Sequence, residues 1–146
     1  MIIWVDEDTS ATEVGARRLK RRGYQTELIV NATDGLNRLK FVLDERLTLA
    51  IIDVGLVPGD DTHTFCKSNP LATATMGVEL VKLLTEHKPK FPWAKKFVFF
   101  SRSTDPKVVA FIQQFADKHD ILYIKKDTEM TSKKFVRLLV SKGFIN

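Results

Sequence analysis

Three kinds of reactive side chain recur where short apolar runs of this 146-residue chain end. Carboxylates come first: Asp6, Glu7 and Asp8 follow Ile2-Ile3-Trp4-Val5, and Asp53 follows Leu49-Ala50-Ile51-Ile52. A hydroxyl, Ser101, follows Phe97-Val98-Phe99-Phe100. Two ammonium groups, Lys125 and Lys126, follow Ile121-Leu122-Tyr123-Ile124. Clustered carboxylates suit a hard divalent cation, which takes oxygen ligands. A hydroxyl and an ammonium beside them suit a phosphoryl group, whose oxygens they would bind and whose charge they would neutralise. A carboxylate can also accept the phosphoryl group itself, as an aspartyl-phosphate. Alone, each of these residues reads as a solvated loop residue. Their recurrence at four run ends points to a site.

For that site to exist, the run ends must meet. The apolar runs are strand-length, and between them the chain shows helical spacing with helix start and stop signals. Thr9 to Arg22 reads as a helix with Thr9 or Ser10 as cap and Gly23 as stop. Thr26 to Val30 is a second strand, and Thr33-Asp34-Gly35 a turn or cap before a helix over Leu36 to Leu43. Gly77 to Leu84 carries Val78, Val81 and Leu84 at helical spacing. Thr104-Asp105-Pro106 starts a helix that runs on from Val108 to Lys118. Thr131 or Ser132 caps a last helix over Lys133 to Ser141, stopped by Gly143. Five strands alternating with five helices, the strands mostly apolar throughout, imply a parallel sheet with helices on both faces. Right-handed crossovers then gather every strand C-terminus on one edge, where ligands of such sheets bind.

The composition is that of an ordinary globular domain: 44% hydrophobic and 28% charged, which excludes a disordered chain. The length matches a single domain spanning residues 1–146. No apolar run could cross a bilayer, and acids arrive too early in MIIWVDEDTS for a signal peptide. The single cysteine, Cys66, excludes an intramolecular disulfide framework and a multi-cysteine zinc site. A cytoplasmic protein without membrane contact is expected. The net charge is +5. The densest basic run, Arg17 to Arg22, reads as the solvated last turns of a helix, where cations complement the carbonyl end of the dipole. No specific nucleic-acid site is expected there, because no aromatic or groove-reading element accompanies it.

Taken in order, the motifs resemble the receiver domain of bacterial two-component response regulators, the chemotaxis-regulator fold (flavodoxin-like, doubly wound), nearly end to end. "IIWVDED" resembles that family's first strand with its acidic pair, here Asp6 and Glu7. "RRGYQTELIVNATDGLNRL" resembles the run from the first helix through the second strand into the second helix. "LAIIDVGLVPGDD" resembles the phosphoacceptor strand and places the acceptor at Asp53. "FVFFSRSTD" places the switch hydroxyl at Ser101. "LYIKKD" resembles the family's Tyr-Ile-x-Lys-Pro and places the lysine at Lys126, with Lys125 as rival, and the switch aromatic at Tyr123. The resemblance implies a signalling module rather than an enzyme, with no catalytic residue of its own. Asp53 would receive a phosphoryl group from a sensor histidine kinase or a phosphotransfer protein. Mg²⁺ would be held by Asp6, Glu7, Asp53 and the carbonyl of Gly55. Ser101 and Lys126 would bind the phosphoryl oxygens and draw Tyr123 inward, signalling to an output protein.

The sequence departs from that pattern in four places. Glu7 stands where the family has an aspartate. Asp127 replaces the proline after the lysine. Arg102, following Ser101, replaces a small residue, and could cover the site, bind the phosphoryl group itself, or point to solvent. An insertion at about 59–75 separates the acceptor strand from its helix. It is poor in apolar residues and is expected to lie over the surface near Asp53. Its His63 and Cys66 lack the partners of a metal site. No output domain is expected, because the chain ends at Asn146 just past the last helix. Two other readings stand beside the phosphorylated receiver. One is a degenerate receiver that serves as an interaction module without phosphate. The other is an unrelated metal-dependent phosphoryl-transfer enzyme or nuclease using the same carboxylates.

Overall fold

Side-chain alternation along each strand sets the architecture. In β1 (Ile2–Val5), Ile2 and Trp4 point to one side of the sheet while Ile3 and Val5 point to the other. The same two-residue period separates Leu49 and Ile51 from Ala50 and Ile52 in β3 (Leu49–Ile52), and Val98 and Phe100 from Phe97 and Phe99 in β4 (Phe97–Ser101). Strands that are apolar on both faces must be covered on both, and they are.

The computed structural model describes residues 1–65 and 74–146. In chain order it comprises β1, α1 (Thr9–Arg21), β2 (Thr26–Ile29), α2 (Ala32–Phe41), β3 (Leu49–Ile52), α3 (Thr62–Phe65) and α4 (Met76–His87). Then come α5 (Trp93–Lys96), β4 (Phe97–Ser101), α6 (Pro106–Lys118), β5 (Leu122–Lys125) and α7 (Ser132–Ser141). The five strands form one parallel sheet in the order β2-β1-β3-β4-β5. Leu19 of α1 and Phe135, Val136 and Leu139 of α7 build the core on one face. Residues of α2, α4 and α6 build it on the other. This is the doubly wound, flavodoxin-like α/β fold expected from the sequence. Among the described residues no helix is long and apolar enough to cross a membrane.

On the α1–α7 face, Phe100 and Phe135 stack at 4.0 Å, and Trp4 leans on Phe135 at 5.4 Å. Each such pair adds about 0.5–1.5 kcal/mol beyond its buried area. Helix α1 can lie over Trp4 because residue 15 is glycine: a Cβ there would stand 2.6 Å from the indole ring.

Several local expectations change. The cap of α1 is Asp8, whose side chain accepts from the Ala11 N–H, rather than Thr9 or Ser10. Helix α2 starts a turn earlier than Leu36, at Ala32. Asn31 caps it by accepting from the Asp34 N–H at 2.8 Å, and the Ala32 and Thr33 N–H groups donate to the carbonyls of Val57 and Pro58. Two short helices, α3 and α5, join the five expected. In the insertion, Phe65 is buried in the α2–α4–α6 core, so this part of the segment is not a surface loop. Residues 66–73, Cys66 among them, lie outside the described residues.

Candidate functional site

The strand order reverses at β1: the chain crosses from β1 to β2 on one side, then returns to β3 on the other. A crevice opens at the carboxyl ends of strands at such a point. Asp6 leaves β1 and Asp53 leaves β3, and these two strands are hydrogen-bonded neighbours. Ser101 closes β4, and Lys126 follows β5. Parallel pairing alone therefore collects residues that are far apart in the chain.

Lys126 ties the collection together. Its backbone N–H donates to the Ser101 carbonyl at 2.7 Å, which turns the side chain inward. Its Nζ donates to Asp6 Oδ2 at 2.6 Å and stands 3.5 Å from Asp53 Oδ2. Nζ also lies 4.9 Å from the centre of the Phe100 ring, a cation–π contact that links the site to the aromatic core below. Lys125, in contrast, is exposed. Asp6 and Lys126 are both buried, and each needs the other. A buried charge left without its partner costs about 3–5 kcal/mol.

Asp53 is only partly buried and stands in a cleft of about 530 Å³ lined by Glu7, Asp8, Gly55, Ala74, Lys126 and residues 101–105. Desolvation raises its pKa from 3.8 to about 6; Lys126 opposes the rise and the charge of Asp6 adds to it. The Gly55 N–H donates to Asp53 Oδ1 at 3.1 Å. Helix α4 begins directly against this strand exit. The Gly77 N–H donates to the Val54 carbonyl at 2.9 Å, and a Cβ on residue 77 would come within 2.1 Å of the Asp53 carbonyl oxygen. Only glycine permits that approach.

The remaining candidates are placed as follows. Glu7 is exposed and lines the cleft. Ser101 is buried in its wall. Tyr123, on β5, already faces inward against the core. Its hydroxyl is buried with no hydrogen-bond partner among the described residues, and burial followed by the Asp53 charge raises its pKa. Two features were not read from the sequence. Asp8 serves as helix cap: its carboxylate accepts from Ser10 Oγ at 2.9 Å and from Ala11 N–H, and these bonds hold its pKa below 3.8. Asp8 also faces Arg102, whose Nη2 stands 3.9 Å from its Oδ2. An aspartate directly before a helix is a capping signal that could have identified the first of these roles.

The donor chemistry suits a hard cation: three carboxylates and a backbone carbonyl, with one ammonium for two buried or half-buried carboxylates, Asp6 and Asp53. Among the described residues no three acidic, histidine or cysteine side chains already stand in a metal-holding group.

Neither a protein-family model nor a curated protein matches the chain. Solved structures do. A response regulator receiver domain protein (CheY-like) from Methanospirillum hungatei superposes with a TM-score of 0.66 at 18% identity, over 97% of this chain and 90% of the other. The receiver domain of HemR from Leptospira biflexa, in its non-phosphorylated form, gives 0.65 at 16% identity, over 96% and 90%. A response regulator from Burkholderia pseudomallei gives 0.59 at 14% identity, over 97% and 72%; that structure contains a phosphorylated aspartic acid and a calcium ion. The chain has the receiver fold across nearly its whole length.

Proposed function

We propose that the chain acts as a response-regulator receiver: Asp53 accepts a phosphoryl group from the phosphohistidine of a sensor histidine kinase or phosphotransfer protein. The observation that carries this reading is the arrangement of Asp53. It is a carboxylate open to a cleft, with Lys126 Nζ 3.5 Å away and that lysine anchored on Asp6 at 2.6 Å.

Above about pH 6 Asp53 is ionised and nucleophilic. One of its oxygens forms the bond to phosphorus as the P–N bond of the phosphohistidine breaks. The imidazole keeps the bonding pair and takes a proton from solvent. Lys126 would follow the charge from the carboxylate to the phosphoryl oxygens, and the Ser101 hydroxyl would donate to another of them. Asp6, Glu7, Asp53 and the Gly55 carbonyl would hold Mg²⁺, which supplies the positive charge that Lys126 alone cannot. Movement of Ser101 and Lys126 then reaches Tyr123 through the end of β5. The signal passes by contact with another protein at the α6–β5–α7 face.

Beryllofluoride mimics a phosphoryl group on a carboxylate and needs no cognate kinase. With Mg²⁺ it should shift NMR resonances around Asp53, Ser101, Lys126 and Tyr123, and Asp53→Ala should abolish the response. Indifference to both reagents at millimolar levels would refute phosphorylation. One observation favours the second reading, a degenerate receiver that works as an interaction module. Asp6 is already paired with Lys126 by a short bond, an arrangement that needs neither metal nor phosphate to form. That reading expects no beryllofluoride response and partner binding indifferent to Asp53→Ala.

A further inference from the structure

The β4–α6 connection carries a second cation to the cleft. Arg102 lies between two fixed points: Ser101, locked in the sheet, and Asp105, which caps α6 by accepting from the Lys107 N–H at 2.9 Å. Arg102 lines the same cleft as Asp53, and its guanidinium reaches across to the β1–α1 connection, where Nη2 stands 3.9 Å from Asp8 Oδ2. The two side chains are 67% and 39% exposed, so the pair is weak. The capping role of Asp8 does not depend on it, since Ser10 and Ala11 donate to Oδ1 while Arg102 faces Oδ2. Arg102 is therefore a cation loosely parked at the mouth of a cleft whose other cation, Lys126, is committed to Asp6 and Asp53.

We propose that Arg102 is a second anion-binding residue of the cleft, parked on Asp8 at rest and transferred to the phosphoryl group when Asp53 carries one. The inference rests on the receiver reading of the site. A phosphoryl dianion offers two or three oxygens to a planar fork of N–H donors, and such a bidentate contact is stronger than the single long contact to Asp8. The exchange breaks only an exposed ion pair, leaves the cap of α1 intact and joins the β4–α6 connection to the phosphorylated aspartate. A bound Arg102 also stands between the acyl-phosphate and solvent, which slows hydrolysis.

The test is a double-mutant cycle read by beryllofluoride titration in the presence of Mg²⁺. Arg102→Ala should weaken beryllofluoride binding about tenfold, the effect of losing one charge-assisted contact. Its Mg²⁺ affinity measured without beryllofluoride should stay within about twofold. Arg102→Lys should restore part of the loss, because it returns the charge but not the fork. Asp8→Asn keeps a capping side chain while releasing Arg102, and should tighten binding a few-fold, on the order of one weak ion pair. In the Arg102→Ala background that gain should vanish. If Asp8→Asn tightens binding equally in both backgrounds, Asp8 merely repels the anion and the transfer is wrong. If wild-type protein responds and Arg102→Ala responds identically, Arg102 is a solvent-facing residue and only this inference falls. If wild-type protein does not respond at all, the receiver reading and this inference fall together.

Discussion

At the scale of single residues, the ionisation of Asp53 sets a cost that can be measured. Its pKa rises from 3.8 to about 6, chiefly through desolvation, so the folded state holds the proton more tightly than the unfolded state. The stabilising proton is fully in place below pH 4 and is lost as the pH rises through 6. Two pKa units correspond to at most about 3 kcal/mol, and partial solvent access reduces this to about 1–2. Urea denaturation in a metal chelator should therefore find Asp53→Asn more stable than wild type at pH 8, and equal to it at pH 4. A variant that is equally or less stable at pH 8 would show that Lys126 outweighs desolvation. The two adjacent lysines should separate just as clearly. Lys126→Ala should cost about 3 kcal/mol, because it strands the buried Asp6 carboxylate. Lys125→Ala, on an exposed side chain, should stay within about 0.5 kcal/mol. Equal effects would argue against the geometry around Asp6.

At the scale of elements, the site depends on how closely α4 follows β3. Gly77 lets the first turn of α4 sit on the peptide that carries Asp53, and a Cβ placed 2.1 Å from that carbonyl cannot be accommodated without moving the helix. Gly77→Ala should cost about 1–3 kcal/mol in urea denaturation and shift the Asp53 amide resonance, since strand exit and helix move together. The insertion also acts as an element. Phe65 within it is buried in the core and would be lost if residues 62–74 were removed. Phe65→Ala should destabilise by about 3 kcal/mol, comparable to other buried aromatics. A change below about 0.5 kcal/mol, the range of surface substitutions, would return the segment to the surface.

Across the whole molecule, charge is unevenly placed. On α1 and α7, which pack side by side on one face of the sheet, Glu13 is the only acid. Arg17, Lys20, Arg21, Lys133, Lys134 and Arg137 there are exposed, and none forms an ion pair with an acidic side chain among the described residues. The acids of the cleft lie apart from them, at the strand ends. A basic face of this kind attracts polyanions through counterion release without reading their sequence. Duplex DNA should bind weakly at low salt, indifferently to sequence, and should be released by about 0.2 M salt. Tight, sequence-selective binding at that ionic strength would mean the face carries a reading element that its residues do not suggest.

The sheet, its helical cover and the meeting of Asp6, Asp53 and Lys126 at its edge were legible in the sequence because they rest on local patterns. Apolar runs bounded by breakers make strands, helical spacing with capping residues makes the crossovers, and parallel strands place their last residues together. Other features were decided only when distant segments met. Leu36 looked like the start of α2 until the carbonyls of Val57 and Pro58 offered partners to the N–H groups a turn earlier. Phe65 is one aromatic in a polar stretch, and nothing nearby in sequence says that the core has room for it. Lys125 and Lys126 are adjacent and chemically identical, and strand alternation sends them opposite ways. Which one turns inward was settled by the bond from the Lys126 N–H to Ser101, and by an Asp6 carboxylate 120 residues away waiting for a cation. Local pattern determines which elements form. Long-range satisfaction of buried charges and backbone groups determines which of two equivalent residues turns inward.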